Sequence, residues 1–152
     1  MAPEQDDLFA PSLGGLRRGA PPTGKRPWPL LSQAVVAVLG GPIAAGLVGY
    51  ENGRRLGLPS WRLAAIAGVA LAALAGVRIA ASVISSDGSE LPVLMVGGGL
   101  SYLAIRQLQR DGDRRYRAGR NARASYDSLW PLGVGVVLVG IVLGALAMVG
   151  TT

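Results

Sequence analysis

Half of the 152 residues are hydrophobic and only 16% are charged, against about 25% in soluble domains. Fifteen Lys and Arg against nine Asp and Glu give a net charge of +6, and all but one of the bases are Arg. Cysteine and histidine are both absent, which excludes disulfides, thiolate or imidazole catalysis and Cys/His metal sites.

Residues 1–27 carry three acids, four bases and five prolines with little apolar periodicity. Such a segment reads as a disordered Pro-rich tail. It ends in Pro27-Trp28-Pro29, and a transmembrane domain is expected over 28–152. No cleavable signal peptide is evident, because the first apolar run begins only at Leu30, exceeds an h-region and lacks an A-x-A-like site.

Four apolar windows follow, at about 30–50, 61–85, 91–108 and 129–150. A helix needs roughly 20 apolar residues to cross about 30 Å of hydrocarbon. The windows are continuously apolar and lack the alternation of barrel strands. The expected fold is therefore all-α: a polytopic integral membrane protein with four transmembrane helices in a small bundle. Ser60, Ser89 and Asp127 or Ser128 stand where they can cap helix starts. Trp28, Trp61 and Trp130 stand where interfacial aromatics belong.

The first window holds Gly40-Gly41-Pro42 at its middle. Proline removes an amide and clashes with the preceding turn, so a kink is expected near 38–41. The window closes on Glu51-Asn52-Gly53-Arg54-Arg55, with arginines suited to the negative end of the helix dipole and Gly53 or Gly57 available for a left-handed turn. Small residues recur every fourth position, at Ala37, Gly41, Ala45, Gly49 and Gly53 and again in the second window at Ala64, Gly68, Ala72, Gly76 and Ala80. Such stripes let helix backbones approach closely, so the first two helices are expected to pack as an antiparallel hairpin, with the stripes facing either each other or another protomer.

Arg78 is the only charge well inside a window. Its insertion cost of roughly 2.5–3.5 kcal/mol is offset by the Leu, Ile and Val around it. It lies about two and a half turns from Asp87 and is expected to snorkel toward it or Glu90. Gln33, Pro42, Asn52 and Arg78 are the candidate polar site, and the alternative expectation to an accessory role is a small oligomeric channel or transporter using the Pro42 break and Arg78. The third loop, about 109–128, is Arg-rich. Arg106, Arg110, Arg114 and Arg117 fall at helical spacing, and Arg110, Arg114, Arg115 and Arg117 are expected to contact anionic lipid head groups. Aromatic and motif support for nucleic-acid binding is missing.

Topology follows from the bases. The tail holds four, loop 1 three and the third loop with its flank seven, while loop 2 (86–90) and the C-terminus hold none. Four crossings place loops 1 and 3 inside and both termini outside. A re-entrant first segment would instead bring the tail inside and gather all fourteen on one side.

The run Gln33-x-x-x-Ala37-x-x-Gly40-Gly41-Pro42-x-Ala44, with Asn52, Leu56 and Gly57 downstream, resembles a recurring bacterial family of small integral membrane proteins. Its members share a Q…A…GGP-x-A segment followed by N-x-x-x-L-G. The resemblance covers mainly residues 30–65, implies a four-helix architecture and carries no activity. No H-E-x-x-H, G-x-S-x-G or P-loop pattern is present. The expectation is a non-enzymatic accessory or assembly subunit of a bacterial inner (plasma) membrane, without cofactor or metal. Its partners would be membrane lipids, a second copy or another membrane protein, and no nucleic acid. Arg in place of Lys, with abundant Ala and Gly, is the usage of a GC-rich bacterial genome.

Overall fold

The computed structural model describes residues 25–84, 90–118 and 126–149. Among them are four helices and no strand: α1 (Leu30–Arg55), α2 (Ser60–Val83), α3 (Glu90–Ala118) and α4 (Trp130–Val149). Residues 1–24, 85–89, 119–125 and 150–152 and the side chain of Glu90 lie outside what the structure describes, so the expectations for the tail and for Arg78 reaching Asp87 or Glu90 fall there. By length and composition α1, α2 and α3 are each apolar and long enough to cross a membrane.

The expected kink in α1 is a full reversal. Gly41 sits at φ 71°, ψ −167°, a region reserved for glycine because a Cβ would collide with the backbone. Trp28 N–H donates to Asn52 Oδ1 at 2.7 Å, whereas an unbroken helix would hold these residues about 36 Å apart. α1 is therefore a helical hairpin, with arms over 30–40 and 42–55. Glycine just past one helix and proline at the first position of the next is the usual stop-and-restart pattern. Each arm is about 16–21 Å long, and both arms return to the same end of the molecule, termed the foot.

The other helices pack around this hairpin. Fourteen of the 26 residues of α1 are buried, against two of 24 in α2, Ile66 and Val77. Gly98 of α3 lies against the Ala37 carbonyl and the Gly41 Cα at the tip. On the opposite side Gly140 of α4 lies against the Gly40 carbonyl. No side chain could occupy either position without displacing backbone, and close approach of this kind brings Cα–H groups onto carbonyl oxygens. Toward the foot, Ile105 of α3 and Ile66 of α2 fill the space beside Gly49, while Val36, Ala44, Val48, Trp28 and Leu129 form a second cluster.

The two small-residue stripes part company here. Gly41, Ala45, Gly49 and Gly53 are buried. Ala64, Gly68, Ala72 and Gly76 are exposed, and nothing lies within 4 Å of the place a Cβ would take at Gly68 or Gly76. The first two helices do pack against each other, but the stripe of α2 does not face that of α1. α2 meets the hairpin instead through Leu63, Ile66 and Ala70, while its Val77 packs on Gly97 of α3.

Two further expectations change. Trp28 is 2% exposed and belongs to the core, whereas Trp61 and Trp130 are exposed. Ser60 is the first residue of α2 rather than its cap, which is Pro59 with no side-chain hydrogen bond. α1 ends as the sequence suggests: Leu58 N–H donates to the Gly53 carbonyl and Gly57 N–H to the Arg54 carbonyl. With Gly57 at φ 69°, this is a Schellman cap.

Candidate functional site

Polar side chains converge at the foot, where the two arms of the hairpin meet α3 and the start of α4. Asn52 and Gln109 are both fully buried. Asn52 Oδ1 accepts from Trp28 N–H, and Asn52 Nδ2 donates to Gln109 Oε1 at 3.1 Å. Gln109 Nε2 in turn donates to the Gly49 carbonyl at 2.6 Å, and Gln33 Nε2 donates to the Trp28 carbonyl at 3.4 Å. The chain of amides thus ties the segment before the first arm to the second arm and to α3.

Arg55 closes the clamp. It is buried, its guanidinium lies 3.8 Å from the centre of the Trp28 ring, and its Nη1 donates to the Arg26 carbonyl at 2.9 Å. Glu51 at 3.3 Å and Asp127 at 3.4 Å supply the countercharge, without which a buried cation is costly. Asp127 N–H donates to the Pro27 carbonyl, so the same contact pins the start of α4. Among the described residues no buried side-chain nitrogen or oxygen lacks a partner.

A second polar group lies farther along α3, which runs ten residues beyond the expected end at Leu108. Asp113 is buried and pairs with Arg117 at 2.9 Å, and the Tyr126 hydroxyl donates to Asp113 Oδ1 at 2.9 Å. Burial, and then the hydrogen bond to Asp113, push the Tyr126 phenol above its ordinary pKa; the hydrogen bond with Tyr126 raises that of Arg117. Arg106, Arg110, Arg114 and Arg117 lie on one face of this extension, bordering with Leu30 a cleft of about 340 Å³. Arg115 does not border it.

Of the four residues grouped as a candidate polar site, the structure brings Gln33 and Asn52 together through the Trp28 backbone. Pro42 lies at the far tip of the hairpin, about 15 Å away by helix rise. Arg78 stands apart on α2, next to the Val77 that abuts Gly97 of α3, and makes no hydrogen bond or ion pair with a described side chain. Gln109, Trp28 and Arg55 were not singled out as site residues from sequence. A signal for Gln109 was present: it continues the four-residue spacing Gly97, Ser101, Ile105, all buried.

The clamp has no nucleophile paired with a base, and its donors and acceptors are spent on one another. No group of three or more Asp or Glu able to hold a metal occurs among the described residues. Fold and site together define an all-helical membrane protein with a polar clamp at the base of a buried helical hairpin. Comparison with family models, with curated proteins and with solved structures gives no significant match.

Proposed function

We propose that this chain is a non-enzymatic, multi-pass accessory or assembly subunit of a bacterial inner membrane, engaging a partner helix through the outer face of α2. The observation that carries this reading is the stripe Ala64, Gly68, Ala72 and Gly76, which is exposed and open beside both glycines. In lipid there is no hydrophobic drive for helices to associate, and a small-residue face allows the close packing that replaces it. Replacing Gly68 and Gly76 by Leu fills that face without touching the chain's own interior. Co-purification of the partner, or self-association, is expected to be lost while the melting temperature in detergent is kept. Unchanged assembly refutes the reading.

In this reading α2, α3 and α4 cross the bilayer, and the tip of α1 stops near the midplane, since its first arm spans about half of 30 Å. Non-helical backbone at that depth is tolerated when buried in protein, and Gly41 is buried under α3 and α4. The tail, loop 1 and loop 3 then share the cytoplasmic side, carrying fourteen of the fifteen Lys and Arg, as the positive-inside rule favours. The chain is free of cysteine, so single cysteines can be placed at will. Positions 12, 60 and 125 are expected to resist an impermeant maleimide in intact cells, and positions 86 and 151 to react. Membership of the small bacterial family resembled by residues 30–65 belongs to the same proposal, as do anionic lipids around loop 3.

One observation favours a second reading. The hairpin tip sets the end of one half-helix beside the start of another, the arrangement that transporters use for ions. It is weakened by the separation of Arg78 from Gln33 and Asn52. Proteoliposome flux that disappears in Arg78→Ala supports a channel or transporter; absence of flux removes it.

A further inference from the structure

On α3, Val96, Leu103, Arg106, Arg110 and Arg114 recur along one face, so a single stripe passes from apolar to basic as it leaves the bundle toward the foot. Val96 and Leu103 are 63% and 53% exposed, a surface fit for acyl chains. Beyond them the stripe opens into the half-open cleft of about 340 Å³, which Leu30, Gln107 and Asp113 also border. The charge of Arg117 there is already matched by Asp113. Arg106, Arg110 and Arg114 form no ion pair with any described residue. They follow one another at single turns, covering about 12 Å along the helix.

We infer that this cleft seats the head group of an anionic phospholipid carrying two phosphates, its acyl chains running over Leu103 and Val96. This rests on the proposed topology, which puts the cleft at the inner leaflet. Guanidinium forks bind phosphate oxygens in bidentate fashion, and basic pockets beside transmembrane helices hold head groups of this kind. Three unmatched cations along 12 Å exceed what one phosphodiester neutralises, and a pair of linked phosphates fits both the charge and the length. Sequence spacing alone made the basic patch diffuse and included Arg115; the cleft separates Arg110 from Arg115 on the same helix.

That separation supplies the test. The full chain, purified in a neutral maltoside detergent, is titrated with cardiolipin and read by native mass spectrometry. Arg110→Gln is expected to weaken cardiolipin binding about tenfold, and Arg115→Gln less than twofold, although each removes one charge. Both side chains are exposed, so neither change disturbs the fold, and melting curves verify it. Equal losses in the two variants overturn the inference, since they mean attraction to a charged surface only. Binding of phosphatidylglycerol as tight as that of cardiolipin overturns the two-phosphate assignment. Displacement of cardiolipin by millimolar pyrophosphate overturns the lipid assignment in favour of a soluble ligand. The maleimide experiment reads the topology separately, so failure of one leaves the other standing.

Discussion

α1 and α2 carry the same five-member repeat of small residues at the same spacing, and the fold treats them in opposite ways. In α1 the repeat lies at the centre, with Gly49 against Ile105 and Ile66 and Gly53 against Leu63 and Leu58; in α2 it faces outward with open space beside it. Local sequence does not separate the two. What does is Gly41-Pro42, which folds α1 into a hairpin and so offers two short arms to be enclosed by three longer helices. A small-residue stripe in lipid is permission for close approach; the partner is chosen by the rest of the architecture.

The strongest way to break the comparison is to put a side chain where α3 meets the hairpin tip. At Gly98 a Cβ would run into the Ala37 carbonyl and come within 2.8 Å of the Gly41 Cα, both backbone atoms. Gly98→Val is expected to destabilise by at least about 3 kcal/mol, seen as loss of the folded band or of a thermal transition in detergent. Gly41→Ala comes next. A left-handed backbone costs a non-glycine residue about 1–3 kcal/mol, and the new methyl would meet Leu94 at 2.8 Å. About 2–4 kcal/mol is expected in the same assay, and a wild-type transition in this variant contradicts the reversal at Gly41.

Why the reversal was not legible follows from these positions. Gly-Pro inside an apolar run is compatible with a kink and with a stop and restart, and both satisfy hydropathy over 30–50. The choice is settled by Gly98 and Gly140, some 57 and 99 residues downstream, whose missing side chains let α3 and α4 close on the tip. The apolar windows, the cap at Gly57 and the weight on Gln33 and Asn52 could be read locally. Gln109 escapes hydropathy, which ends the third window at Leu108 while the helix continues to Ala118, and only its four-residue spacing from Ile105 marks it. The charged turns of that extension are held by contacts with Tyr126, Leu56 and Leu58 that no local pattern encodes.

At the foot the comparison is between Asn52, embedded among partners, and Arg78, which has none among the described residues. Asn52→Ala leaves the Trp28 amide hydrogen and the Gln109 carbonyl oxygen without partners at a fully buried position. About 2–3 kcal/mol of stability is expected to go, measured by melting in detergent. Arg78→Ala is expected to change the same melting temperature by less than the equivalent of about 0.5 kcal/mol. Equal effects would mean that the clamp does not hold the hairpin.

A smaller effect tests how the end of loop 3 is fastened. The Tyr126 phenol is raised above its ordinary value in the folded chain, so with rising pH the unfolded chain loses that proton first. The contribution is therefore whole below about pH 10 and falls as pH rises through the folded value. Tyr126→Phe is expected to lower stability by about 1 kcal/mol at neutral pH and to flatten the decline above pH 10. An unaltered alkaline slope in the variant would place the decline in another group.

The last contrast has the opposite sign and isolates α2. A Cβ added at Gly68 or Gly76 meets nothing, while alanine gains over glycine in a helix by about 0.8–1.0 kcal/mol. Gly68→Ala is accordingly expected to raise the melting temperature of the isolated chain slightly, the reverse of Gly98→Val. If an unchanged or raised melting temperature comes with weakened assembly in Gly68→Leu, the conformational cost of two exposed glycines is retained for association, not for folding. If Gly68→Ala is destabilising instead, the stripe of α2 is already covered within the chain, and the division between the two helices fails.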